Sequence, residues 1–161
     1  CADTALPLLE KYDNLIVVQT FSKSRSLAGM RIGYAMASPE LVKYLNDVKY
    51  SFNYYTMDQT ELDLGVASIN DQAYFEETLH KIIQTRERVK LRLTELGFTF
   101  RDSKSNFIFA SHKSCPAEEL FEKLKEKDIY VRYFKKPRID NYLRITIGTD
   151  AEMDEFLSEV E

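Results

Sequence analysis

A chain of 161 residues with 44% apolar and 30% charged side chains has room for one domain with a substantial core, or a small domain plus part of another. Its net charge of −4 comes with no basic stripe, which argues against a nucleic-acid partner, and no apolar run nears the ~20 residues of a membrane-spanning helix. Cys1 and Cys115 lie far apart and match no metal spacing even with His80 and His112, so a soluble, cytoplasmic chain with inert thiols and no metal is expected.

The chain opens without an initiator methionine and without the charge and apolar pattern of a signal peptide. Residues 5–12 predict a short helix or loop that runs straight into a strand over residues 15–20. That strand is apolar on both faces, as in a parallel sheet covered by helices. One or two such strands cannot complete a parallel sheet. The chain is therefore expected to be the C-terminal part of a longer protein.

After this strand comes a loop containing Ser22-Lys23-Ser24 and Leu27-Ala28-Gly29-Met30-Arg31, then a second strand over residues 32–37. Ser38-Pro39-Glu40 starts a helix: serine caps it, proline suits its first position, and glutamate suits its dipole. Leu41, Val42, Leu45 and Val48 give that helix an apolar face. Residues 51–55 read as a loop and 57–69 as another helix. Tyr74, Phe75, Leu79, Ile82, Ile83, Val89, Leu93 and Leu96 then recur at helical spacing over residues 71–96, and Gly97 supplies the stop. At about 1.5 Å per residue such a helix spans ~39 Å, enough to connect two domains.

Beyond it, strands are predicted over 98–101, 106–110, 129–132 and 142–147, with helices over 116–127 and 151–160. That order predicts a compact α+β unit with a mostly antiparallel sheet. The whole chain reads as α/β, with residues 1–70 ending one domain and residues 71–161 forming a smaller one that includes the long helix.

The chemistry centres on Lys23. A strand delivers it, Ser22 and Ser24 offer hydroxyls on either side, and Arg31 follows eight residues later. Ala28 and Gly29 are small enough for the backbone to approach a ligand closely. An amine that can form a Schiff base, next to a guanidinium fork suited to a phosphate dianion, is what pyridoxal phosphate (PLP) requires.

Ser22-Lys23 followed by Leu27-Ala28-Gly29-Met30-Arg31-Ile32-Gly33-Tyr34 resembles the Schiff-base lysine motif of fold-type I PLP enzymes of the aspartate aminotransferase superfamily. Within it, Leu-Ala-Gly-x-Arg-x-Gly is most similar to the histidinol-phosphate aminotransferases. The resemblance covers essentially the whole chain and the last two-fifths or so of that family. It implies that Lys23 bonds PLP and then shuttles a proton between the substrate Cα and the cofactor C4′. It also implies that Ser22 and Arg31 bind the PLP phosphate. Ser24-Arg25 departs from the family, which more often has a small residue and then an aromatic one.

Tyr142-Leu143-Arg144-Ile145-Thr146-Ile147-Gly148-Thr149 resembles the family segment whose arginine binds the anionic group of the substrate, and Arg144 matches that arginine. One guanidinium can face 2-oxoglutarate and a phosphorylated amine in turn. Arg132 resembles a position that adds a second positive group near the substrate phosphate. Asn106 matches a recurring family asparagine with a structural role. Phe52-Asn53-Tyr54-Tyr55 departs from the family wording.

The aspartate, tyrosine and stacking residue that complete the PLP site lie, in the family, before the segment that this chain matches. Asp3, Glu10 and Asp13 stand on no matching motif. The resemblance implies a homodimeric enzyme of histidine biosynthesis acting on histidinol phosphate and glutamate or 2-oxoglutarate. The chain by itself is expected to bind PLP weakly or not at all and to lack transaminase activity. An aromatic amino acid aminotransferase, a phospho-amino-acid decarboxylase and an aminotransferase-like sensor domain of a transcription regulator remain open alternatives.

Overall fold

The computed structural model describes residues 3–161, so the Cys1 thiol considered above lies outside the described residues. The chain divides into two compact units, residues 1–76 and 77–161.

In the first unit a 3-10 turn, Leu6–Glu10, leads into strand β1, Ile16–Thr20. A four-residue helix α1, Phe21–Ser24, and a 3-10 turn, Ala28–Met30, precede strand β2, Gly33–Ala37. The two strands pair antiparallel, from Ile16 opposite Ala37 to Thr20 opposite Gly33. The sequence predicts a strand buried on both faces; Val18 is instead 67% exposed. A two-stranded ribbon gives each residue one neighbouring strand, and these two strands, being consecutive, pair antiparallel through the loop that joins them.

Helix α2, Pro39–Phe52, starts as predicted, with Ser38 Oγ accepting from the Leu41 N–H and donating to the Asp13 carbonyl. It runs on to Phe52, two residues into the predicted loop. Helix α3, Gln59–Asn70, begins with a reciprocal capping box between Asp58 and Glu61. The buried core of this unit is small and sits under the loop between the strands. Phe21 and Ile32 are buried there, and Gly65 of α3 faces them, where a Cβ would come within 3.1 Å of Ile32 Cδ1.

Helix α4, Gln72–Glu95, runs through the boundary between the units and ends at Gly97, whose φ of +90° is the left-handed conformation glycine adopts freely. The second unit is a four-stranded sheet in the order β3-β4-β6-β5, every pairing antiparallel: β3 is Phe98–Phe100, β4 Phe107–His112, β5 Arg132–Tyr133 and β6 Leu143–Thr146. Helices α5, Ala117–Glu126, and α6, Asp150–Glu159, complete it.

Alternation decides the layers. Ile108, Ala110, Leu143 and Ile145 point inward and share a core with Val89 and Leu93 of α4, Leu120 and Leu124 of α5, and Met153, Phe156 and Leu157 of α6. Each fully buried leucine or isoleucine there stabilises the unit by about 1.5–3 kcal/mol. Phe107, Phe109, Arg144 and Thr146 occupy the opposite face.

One predicted strand is shorter than expected. Residues 129–131 do not join the sheet, because the Ile129 N–H bonds back to the Leu124 carbonyl at the end of α5 and Asp128 turns the chain with φ +60°. Only Arg132 and Tyr133 reach β6.

Candidate active-site loop and anion-binding face

The loop of residues 21–32 is closed at its neck. The Phe21 N–H donates to the Ile32 carbonyl at 3.0 Å, and the Phe21 carbonyl accepts from the N–H groups of both Arg25 and Leu27. The burial of Phe21 and Ile32 holds that neck in the core of the first unit. Within the loop, Ser26 and Arg31 both take positive φ, at +56° and +55°, without being glycine. Such residues are uncommon, and two in one loop mark a backbone set by its surroundings rather than by local preference.

Lys23 sits on α1 with its side chain exposed, and among the described residues its amine has no hydrogen-bond or ion-pair partner. Ser22 Oγ likewise takes no partner there. Ser24 differs from its sequence reading: its hydroxyl donates to the Thr20 carbonyl at 3.1 Å, so its proton is not available to an anion. Arg31 donates one N–H to the Ala28 carbonyl at 3.2 Å, leaving four N–H donors for another partner. A Cβ placed on Gly29 would meet nothing within 4 Å, so the space beside this turn is open. One closed turn thus carries an amine and a hydroxyl without a partner among the described residues and a guanidinium with most of its donors open.

Arg25, which the sequence marked only as a departure, proves to be an anchor. Its Nη1 donates to the Ser68 carbonyl at 2.9 Å, its Nη2 to Gln72 Oε1 at 3.3 Å, and its Cζ lies 3.9 Å from the centroid of the Phe75 ring.

In the second unit Arg132 and Arg144 are register partners on β5 and β6, and both side chains are exposed. Their strand neighbours Tyr133 and Leu143 turn inward, so the two arginines share the open face of the sheet. Each guanidinium stands near an aromatic ring: Arg144 is 5.6 Å from the Phe107 centroid and Arg132 is 5.5 Å from that of Phe134. Among the described residues neither meets a carboxylate, whereas Arg86, Arg88 and Arg92 of α4 all do. Two cations directly opposite in a sheet repel each other, and a bound anion relieves that repulsion. The family resemblance pointed to the two arginines; the ring beside Arg144 comes from the pairing of β4 with β6, whereas Phe134 lies two residues from Arg132 along the chain.

Asn106 holds structure. Its carbonyl accepts from the Ile147 N–H at 2.9 Å and extends the pairing of β4 with β6, while the Ser105 carbonyl takes a bond from the buried Arg86. His112 ties the end of α4 to the start of α5. Its Nε2 meets the Leu96 carbonyl at 2.9 Å, and its Nδ1 accepts from the N–H groups of Ser114 and Cys115.

Among the described residues no helix is long and apolar enough to cross a membrane. The family model described as aminotransferase class I and II matches residues 1–160. The protein named histidinol-phosphate aminotransferase from Brachyspira hyodysenteriae is 54% identical over 159 residues, covering 99% of this chain and 45% of that protein. Its namesake from Clostridium acetobutylicum is 50% identical over 159 residues, with the same two coverages. A solved histidinol-phosphate aminotransferase from Sinorhizobium meliloti, in complex with pyridoxal-5'-phosphate, superposes with a TM-score of 0.81 at 26% identity, over 94% of this chain and 42% of that one. The chain spans less than half the length of these relatives.

Proposed function

We infer the activity from the family: the chain belongs to the class I and II aminotransferases, and we propose that it is part of a PLP-dependent histidinol-phosphate aminotransferase. The whole enzyme would exchange an amino group between histidinol phosphate and 2-oxoglutarate, as a cytoplasmic homodimer in histidine biosynthesis. The observation that carries the choice of substrate is the cross-strand pair of Arg132 and Arg144, two guanidiniums without a carboxylate partner among the described residues and suited to a doubly charged phosphate.

The residues present fit PLP. The free Lys23 amine suits its aldehyde, the Ser22 hydroxyl and the four open donors of Arg31 suit its phosphate, and the open space at Gly29 admits it. When bound, the cofactor supplies an electron sink for the carbon that carries the substrate's amino group. Ser22 and Arg31 would hold the phosphate end of the cofactor. Lys23 would hold the cofactor through its amine, and the same amine would take and return the proton at the substrate Cα. Arg144 and Arg132 would hold the substrate's anionic end. Held in this way, a carboxylate and a phosphate substrate can use the same face in successive half-reactions.

Steady-state assays of the whole protein on imidazole acetol phosphate and on phenylpyruvate test this reading. A clear preference for the phosphorylated acceptor is expected, and a preference for phenylpyruvate would overturn it.

A further inference from the structure

We propose that Arg25 is a positioning residue for Lys23, holding the lysine-bearing turn in register against helices α3 and α4; the proposal rests on the reading of Lys23 as the PLP lysine. Helix α1 has four residues, too few to hold its own shape, since the first turn of a helix costs more than it returns. Its neck is fixed by the bond from Phe21 to Ile32, but Lys23 lies beyond that neck. Immediately after Arg25 the chain enters the left-handed conformation at Ser26, an arrangement a serine does not hold unaided.

In the turn after α1, Arg25 makes side-chain hydrogen bonds outside the loop. One guanidinium makes three connections over residues 68–75. It caps Ser68, whose carbonyl lies in the last turn of α3, where no intrahelical donor remains. It donates to Gln72 in the first turn of α4 and lies 3.9 Å above the Phe75 ring. A planar fork that donates along two edges while stacking on a ring resists rotation as well as translation. Arg25 is two residues from Lys23, so a tilt of this turn swings the lysine amine directly. An ammonium in the same place would keep the charge and lose both the fork and the stack.

The test uses the whole protein with Arg25→Ala, Arg25→Lys and Phe75→Leu variants. PLP is added, borohydride is used to fix it, and the rate of label appearing on Lys23 is read by peptide mass. The pH midpoint of the bound cofactor's visible absorbance and the separate kcat and KM values are measured alongside. Both Arg25 variants are expected to slow labelling and lower kcat by about 10-fold or more, to shift the absorbance midpoint, and to leave KM within about two-fold. Phe75→Leu should fall between them and the unmodified protein. Labelling rates and midpoints equal to the unmodified protein's in folded Arg25 variants would overturn the proposal, even if melting temperatures fall, because Arg25 would then be a mere fastener. Rescue by Arg25→Lys would overturn it too, since charge alone would suffice. If the unmodified protein fails to label at Lys23, the assignment of the PLP lysine fails first, and the role of Arg25 with it.

Discussion

Arg132 and Arg144 stand opposite one another on neighbouring antiparallel strands, on the open face of the sheet, with no carboxylate between them among the described residues. Directly opposed like charges cost a sheet about 0.2–1 kcal/mol. The pair therefore stores a small electrostatic penalty that an anion discharges. Replacing either arginine by alanine should leave the empty protein as stable or slightly more so, by a few tenths of a kcal/mol. The same change should lower kcat/KM for the phosphorylated substrate by about 10–100-fold, the worth of one charged hydrogen-bonding group. Melting curves with and without inorganic phosphate measure both halves: phosphate should raise the melting temperature of the unmodified protein and lose most of that effect in either variant.

Lys23 stands on a closed turn, and its amine has no hydrogen-bond or ion-pair partner among the described residues. Lys23→Ala and Lys23→Arg in the whole protein should each lower kcat by at least about 10²–10⁴-fold, the range a positioned proton-transfer group provides. Borohydride treatment with PLP should then leave the peptide around residue 23 unlabelled. Circular dichroism should not change, because the lysine side chain is exposed and makes no hydrogen bond or ion pair among the described residues.

Gly148 adjoins the capping box of α6, in which Glu152 accepts from the backbone N–H and hydroxyl of Thr149 while the Thr149 hydroxyl accepts from the Glu152 N–H. A Cβ on residue 148 would fall 2.5 Å from Glu152 Oε2. Gly148→Ala should push the carboxylate out of the box and lower the melting temperature by about 2–5 °C. Gly29→Ala, where nothing lies within 4 Å, is the control for stability.

The same box makes a prediction about pH. The backbone N–H of Thr149, and then its hydroxyl, hold the Glu152 carboxyl below the usual 4.5. A carboxyl whose folded value is depressed binds protons more readily when unfolded, so its contribution is complete above 4.5 and is lost as pH falls through the lowered value. Asp150 behaves likewise about its usual 3.8, held down by the Thr85 hydroxyl and then by Arg88. Glu152→Gln keeps a neutral box and removes the charge. Its urea midpoint should lie below that of the unmodified protein at pH 6, and the gap should close below pH 4.5. A gap unchanged down to pH 3 would show that the charge contributes nothing.

Gly65 of α3 faces the neck of the Lys23 loop. Ile32 Cδ1 must yield by a few tenths of an ångström to admit a methyl group, so Gly65→Ala should be close to neutral, its packing cost offset by better helix propensity. Gly65→Leu cannot be absorbed in this way. It should cost about 1–3 kcal/mol by overpacking and raise hydrogen exchange at the Phe21 amide, the donor at the neck.

Local signals accounted for most elements. Ser38-Pro39-Glu40 predicts the start of α2, Gly97 the end of α4, and the periodicity of Val89 and Leu93 the inward face of its last turns. Residues 129–131 misled because Ile129, Tyr130 and Val131 have strand propensity, while their backbone is claimed by the end of α5 through Leu124. β1 misled because its apolar residues look buried by composition, yet burial depends on what lies over them.

The sequence by itself determined the chemistry on offer: an amine at residue 23, guanidiniums at 31, 132 and 144, and the caps and glycines that place each on a turn or strand. These are short-range facts, set by side-chain type and by steric preferences within about four residues. Only the tertiary structure decided which of them meet. The strand order β3-β4-β6-β5 puts Arg132 opposite Arg144 and Phe107 beneath Arg144, and the pairing of Arg25 with Ser68, Gln72 and Phe75 spans 43–50 positions. Such contacts are set by which faces bury together and in what register, a choice made by the whole core and not by any one segment.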